Sequence, residues 1–198
     1  MKKLMVIITS FILFGCSSSR IPIPATEYID LQNVNYSYFE IVYNDATFLS
    51  QISKKLADEK WDQARIMSEV YVSQRRNLYN SVEKEVYNNL SKTYNKQTSD
   101  LLKNTLNEFH DLIWKLDKIV FETNFNYKTS MDIYTRIGDL EKYIFLYSNK
   151  STNVSLSLLN IVFYPEQNFK KHGLDQIIIF IKEFQQQVEE LNDFLDNV

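Results

Sequence analysis

The segment TSDLLKNTLNEFHDLIWKLDKIVFET, residues 98–123, decides the fold. Leu102, Leu106, Phe109, Ile113, Leu116 and Val120 alternate spacings of four and three. That period puts side chains on one face of an α-helix. Thr105, Leu112 and Ile119 flank them at seven-residue intervals. His110, Trp114 and Phe121 widen the apolar arc to well over half the circumference. A surface helix shows one apolar stripe, so a helix this apolar is central in a bundle.

Working outward, residues 60–95 read as a helix in which Leu78, Val82, Val86 and Leu90 step by four. Tyr71, Tyr79 and Tyr94 lie on or beside that face. A first helix is expected from Ser37, where Ser37-Tyr-Phe-Glu40 fits a capping box and Tyr36 with Ile41 a hydrophobic staple. Tyr38, Val42, Leu49, Ile52 and Leu56 form its stripe, and Asp45 interrupts it. A break is expected near Ala57–Lys60, because an unbroken helix to Asn95 would approach sixty residues. Trp61-Asp-Gln-Ala64 has no second copy, so a repeat array is rejected.

C-terminal to the central segment, Ile133, Ile137, Leu140, Ile144 and Tyr147 mark a helix over 130–148 that starts near Thr129–Asp132. Residues 152–164 read two ways: Val154, Leu156 and Leu158 alternate like a strand, while Val154, Leu158, Ile161 and Val162 suit a helix. A lone strand would lack a partner, which favours helix. Pro165 and Gly173 punctuate the next connection. Leu174, Ile177, Ile181, Phe184, Val188, Leu191, Leu195 and Val198 then keep a heptad over 173–197. Its acidic end, Gln185–Asp196, is expected to protrude. The fold class is therefore all-α, an antiparallel helical bundle of about five helices with coiled-coil-like heptad packing.

Composition agrees. From Ala25 to Tyr164 there is no proline and one glycine, too little turn chemistry for an all-β fold or a phosphate loop. The N-terminus has its own pattern. Lys2 and Lys3 precede an eleven-residue, mostly apolar run, Leu4–Phe14, then Gly15 and Cys16. That is the layout of a cleaved export signal. The run is shorter than the roughly 17–25 residues that span a bilayer. Residues 1–15 are thus read as a signal, 16–35 as a tether broken by Pro22 and Pro24, and 36–198 as one domain. Removing the signal leaves 183 residues with 20 basic and 25 acidic side chains, a charge of about −5. An acidic chain of this kind argues against nucleic-acid binding.

Leu13-Phe14-Gly15-Cys16 resembles the lipobox of bacterial lipoproteins, although Phe14 stands where that family usually has a smaller residue. The resemblance implies that the Cys16 thiol takes a diacylglyceryl group and that the signal is cut just before it. It also explains a single cysteine in an exported chain. Two or more acyl chains hold a protein stably on a membrane. Ser17, rather than Asp, follows the cysteine, which in a two-membrane cell implies sorting to the periplasmic face of the outer membrane.

Catalytic candidates are few. His110 and Asp117 can be read as an acid–base pair, or as a core histidine bonded to some carboxylate and a carboxylate held by a Lys, Arg or Tyr. His110 and His172 are the only histidines, and neither has a Glu three residues before it, so a di-iron motif is missing. One cysteine and two histidines are too few for a Cys/His zinc site. No Gly-x-Ser-x-Gly elbow or Walker loop occurs. Tyr71, Tyr79, Tyr87 and Tyr94 can form a protein-binding face, and Tyr36, Tyr38, Phe39 and Tyr43 a groove for an acyl chain, or both sets can simply border the core. The expectation is a non-catalytic envelope lipoprotein without cofactor or metal. Its partners would be membrane lipid, through acylated Cys16, and another envelope protein. A protective immunity or exclusion role and a hydrophobic-ligand module are the alternatives.

Overall fold

The computed structural model describes residues 25–75, 83–122, 126–145, 147–149 and 154–198, with side chains from residue 34 onward except 146–155. Cys16 and its flanks, and the Leu78, Tyr79 and Val82 positions, lie outside the described residues. The elements are α1 (Ala25–Ala57), α2 (Trp61–Arg75), α3 (Glu83–Tyr94), α4 (Lys96–Glu122), α5 (Tyr127–Phe145), β1 (Tyr147–Asn149), β2 (Val154–Leu156), α6 (Leu158–Phe163) and α7 (Pro165–Asp196). The class is all-α, with helices packed on helices around one continuous core.

Among the described residues, five columns make the bundle. α2 and α3 lie in succession along α4, running against it. Arg65 meets Val120, Ser68 meets Asp117, Glu83 meets Lys103 and Tyr87 meets Ser99. α5 returns beside α1 and α7. Consecutive columns are antiparallel, whereas α4 and α7 run the same way: Phe109 packs on Phe184, and Lys115 binds Asn192 and Asp196. α4 buries eleven residues from Thr98 to Val120, but its apolar arc is narrower than expected, since Trp114 and Phe121 are 38 % and 48 % exposed.

Several expected boundaries move. α1 begins at Ala25, so Ser37 is a helix-interior residue and not a cap. The capping-box pattern loses because residues 25–35, expected as tether, are themselves helical. The break at Ala57–Lys60 is present. Glu59 adopts φ 57° there, and the Glu59 and Lys60 amides bond the Leu56 and Lys55 carbonyls. That closes α1 with a Schellman turn. α4 and α5 start earlier than expected, each behind an asparagine cap. Asn95 Oδ1 accepts from the Thr98 amide and Asn126 Oδ1 from the Thr129 amide, both at 2.9 Å.

Residues 152–164 hold both readings in turn. Val154–Leu156 is a strand, and Ser157 caps the helix Leu158–Phe163 that follows. The strand's partner is Tyr147–Asn149, paired antiparallel with Tyr147 opposite Leu156. The helix expected over 130–148 would include Tyr147 and Ser148, but it ends at Phe145. In α7, Gly173 takes φ 75°, ψ 164°, a region that only glycine occupies readily, and kinks the helix where its heptad begins. The end of α7 does not protrude. Val188, Leu191 and Leu195 are buried, and Lys115 of α4 holds Asp196.

Candidate functional site

The α1 stripe runs Tyr38, Val42, Asp45, Leu49, Ile52, Leu56, all buried. Asp45 occupies a core position, so the break in the pattern is a buried charge at 0 % exposure. A buried carboxylate survives only when it is paired and hydrogen-bonded. Among the described residues four donors meet it. Arg75 at the end of α2 gives Nε to Oδ1 at 2.8 Å and Nη2 to Oδ2 at 2.7 Å. The Tyr71 hydroxyl gives a third bond to Oδ1 at 2.6 Å. His110 of α4 bonds Oδ2 through Nδ1. An ionised carboxylate only accepts, which fixes Nδ1 as the protonated nitrogen. Arg75 also stands over the Trp114 ring, 5.6 Å from its centroid.

The electrostatics balance. Burial pushes the Asp45 carboxyl up, but the His110 and Arg75 donors outweigh it and hold it below the usual carboxylate value. Burial pushes the His110 imidazole below 6.5 despite the facing carboxylate. Burial and then Asp45 push the Tyr71 phenol well up. Among the described residues the cluster holds one anion and one cation, with a neutral imidazole and phenol, and so no net charge.

His110 and Asp117 do not pair. Seven residues separate them along α4, about 10 Å of helix. The Asp117 partner is the buried Ser68, whose hydroxyl donates to Oδ1 at 2.6 Å. Tyr87 and Tyr94 turn inward and form no surface: the Tyr38 and Tyr87 hydroxyls bond each other, and Tyr94 donates to the Ile161 carbonyl at 2.8 Å. Tyr36 and Tyr43 are exposed, Phe39 is buried against Tyr43, and Tyr38 is core. Sequence reasoning missed Arg75, which in the Arg75-Arg76 pair looks like a solvated face, and took Asp45 only as an interruption.

Above this cluster lies an open groove of about 680 Å³ between α1 and α2. Gln63, Ile66, Met67, Val70 and Gln74 line one wall, and Asn44, Thr47, Gln51 and Lys55 the other. The Phe48 and Tyr71 rings stack on its floor, 4.2 Å apart and within 7° of parallel. Ile66 is 63 % exposed and Val70 50 %. A smaller recess of about 120 Å³ continues from Asn44, Tyr71 and Gln74 to Asp45 and Arg75. Among the described residues no group of three or more His, Cys, Asp or Glu side chains stands together as a metal site. Nor is any described helix long and apolar enough to cross a membrane. Comparison with protein-family models, curated proteins and solved structures finds no match.

Proposed function

We propose that this chain is a lipid-anchored, non-catalytic envelope protein that works by docking a partner protein in the groove between α1 and α2. The observation that carries the reading is the second apolar face of α2. Its inner face, Ala64, Ser68, Val72 and Arg75, is spent on the bundle. Its outer face still presents Ile66 and Val70 one turn apart, beside Met67, over a stacked aromatic floor. Apolar residues spaced in this way suit a helix-in-groove or extended-segment contact. Asn44, Gln51, Gln63 and Gln74 supply donors and acceptors at the rim, and among the described residues Lys55 is the one charged lining residue. Recognition is then by shape and neutral hydrogen bonds. The buried Asp45 network serves the groove by fixing the Tyr71 ring in its floor.

The lipobox-like segment at Leu13–Cys16 supports the anchor. A module for a hydrophobic ligand needs an enclosed apolar cavity, whereas this concavity is open, with amides at its rim. A photoreactive amino acid placed at Ile66 in the native envelope tests the docking reading. The expected result is one discrete crosslinked product, lost on Val70→Glu, with none from the same probe at exposed Lys118. Equal, diffuse crosslinking at both positions would overturn it. Ile66→Glu and Val70→Glu should leave thermal stability nearly unchanged, since surface substitutions stay within about 0.5 kcal/mol.

A further inference from the structure

A second surface lies at the end of the bundle where α1 enters. Phe163 of α6 touches Tyr36 at 5.8 Å, Phe39 at 6.1 Å and Tyr164 at 5.2 Å between ring centroids. Tyr43 joins the set through Phe39 at 6.4 Å and Phe145 at 5.4 Å. Six rings from three parts of the chain thus form one continuous cluster. Its inner members are phenylalanines. Its outer members are all tyrosines: Tyr36 is 58 % exposed, Tyr43 46 % and Tyr164 42 %. We propose that this cluster seats the domain on the interfacial layer of a lipid bilayer.

Three observations select a lipid surface as the occupant. The first is ring chemistry: tyrosine, apolar in body and polar at the tip, concentrates at the headgroup level of membranes. The second is reach, which rests on the anchor reading above. The nine steps from Cys16 to Ala25 span at most about 32 Å, and Tyr36 lies about 16 Å farther along the helix. The lipidated end therefore keeps the cluster beside a membrane, where weak partition suffices. The third is charge. Glu40, Glu166 and Lys170 neighbour the cluster in sequence and are all exposed. Mixed signs provide no electrostatic grip, so seating depends on the rings, tolerates salt and works on zwitterionic lipid. The docking groove is rotated about a quarter turn around α1 from the cluster. Seating then leaves it open and aimed along the membrane.

The test uses the full chain, acylated in cells and reconstituted into phosphatidylcholine vesicles. Because Cys16 is then capped, single nitroxide labels at Tyr43→Cys, Tyr164→Cys and Lys118→Cys report depth by their accessibility to oxygen against a water-soluble nickel chelate. The expected oxygen-to-nickel ratio is severalfold higher at 43 and 164 than at 118, and unchanged in high salt. Floating protein whose three labels are equally water-exposed overturns the seating and leaves the anchor intact. Labels that are protected only when native envelope proteins are present overturn it in favour of a protein partner. Protein that does not float with the vesicles removes the anchor, and this proposal with it. Two independent cluster labels, checked by circular dichroism, guard against one variant failing to fold.

Discussion

Asp45 is fully buried and ionised, and donors from α2 and α4 converge on it. Asp45→Ala should destabilise by about 3–5 kcal/mol in urea unfolding, because it removes the carboxylate that pairs the buried Arg75 guanidinium. Asp45→Leu combined with Arg75→Met should recover most of that loss, since no charge is then left buried. A loss below 1 kcal/mol in the single variant would mean that the carboxylate is not buried. The pH dependence has a definite sign. Burial lowers the folded pKa of His110, so the unfolded chain binds the extra proton, and stability is complete above 6.5 and falls below it. The slope approaches about 1.4 kcal/mol per pH unit. Asp45, also lowered, adds a second loss below the unfolded carboxylate value of 3.8. His110→Asn, checked by denaturation at pH 7, pH 5 and pH 3, should flatten the first slope, leaving only the part owed to His172, which burial and then Lys171 also hold below 6.5, and should keep the second. At this scale the sequence was half legible. His110 was placed at the core edge beside some carboxylate, but which carboxylate depends on how α1, α2 and α4 pack. Sequence spacing along α4 offers only Asp117.

Helix ends explain most boundary errors. Glu59 holds φ 57° where glycine is the usual choice, so Glu59→Gly should stabilise by about 0.5–1 kcal/mol, read as a higher melting temperature. Asn95 closes α3 at φ 78° and caps α4 with its side chain. Asn95→Ala should cost about 1–2 kcal/mol by the same measurement. If Glu59→Gly is destabilising, the Schellman turn is wrongly drawn. Stripes of four-and-three spacing located α4, α5 and the heptad of α7 well, because burial enforces periodicity. Caps are short-range signals, and a strong one at Ser37 is overridden when the chain before it is already helical. The hairpin was hidden for another reason. Tyr147-Ser-Asn149 has no strand pattern of its own and becomes a strand by pairing with Val154–Leu156.

At the scale of the molecule, the described residues form five columns that bury one core and leave at the surface the α1–α2 groove and the aromatic cluster at the entry end. The columns were legible from periodicity. The groove was not, because exposed Ile66 and Val70 belong to no stripe; of the aromatic cluster, Tyr36, Phe39 and Tyr43 were legible as a candidate acyl-chain groove, whereas Phe145, Phe163 and Tyr164 were not. Their clustering exists only after folding. Both assigned roles depend on where the chain is held, and that depends on one residue. Metabolic labelling with a clickable fatty acid, comparing the native chain with Cys16→Ser, tests the account most directly. The native chain should be labelled, shortened by cleavage at Gly15 and recovered with membranes. The variant should be unlabelled and uncut. A native chain without label, or a Cys16→Ser chain that still carries it, would contradict the account.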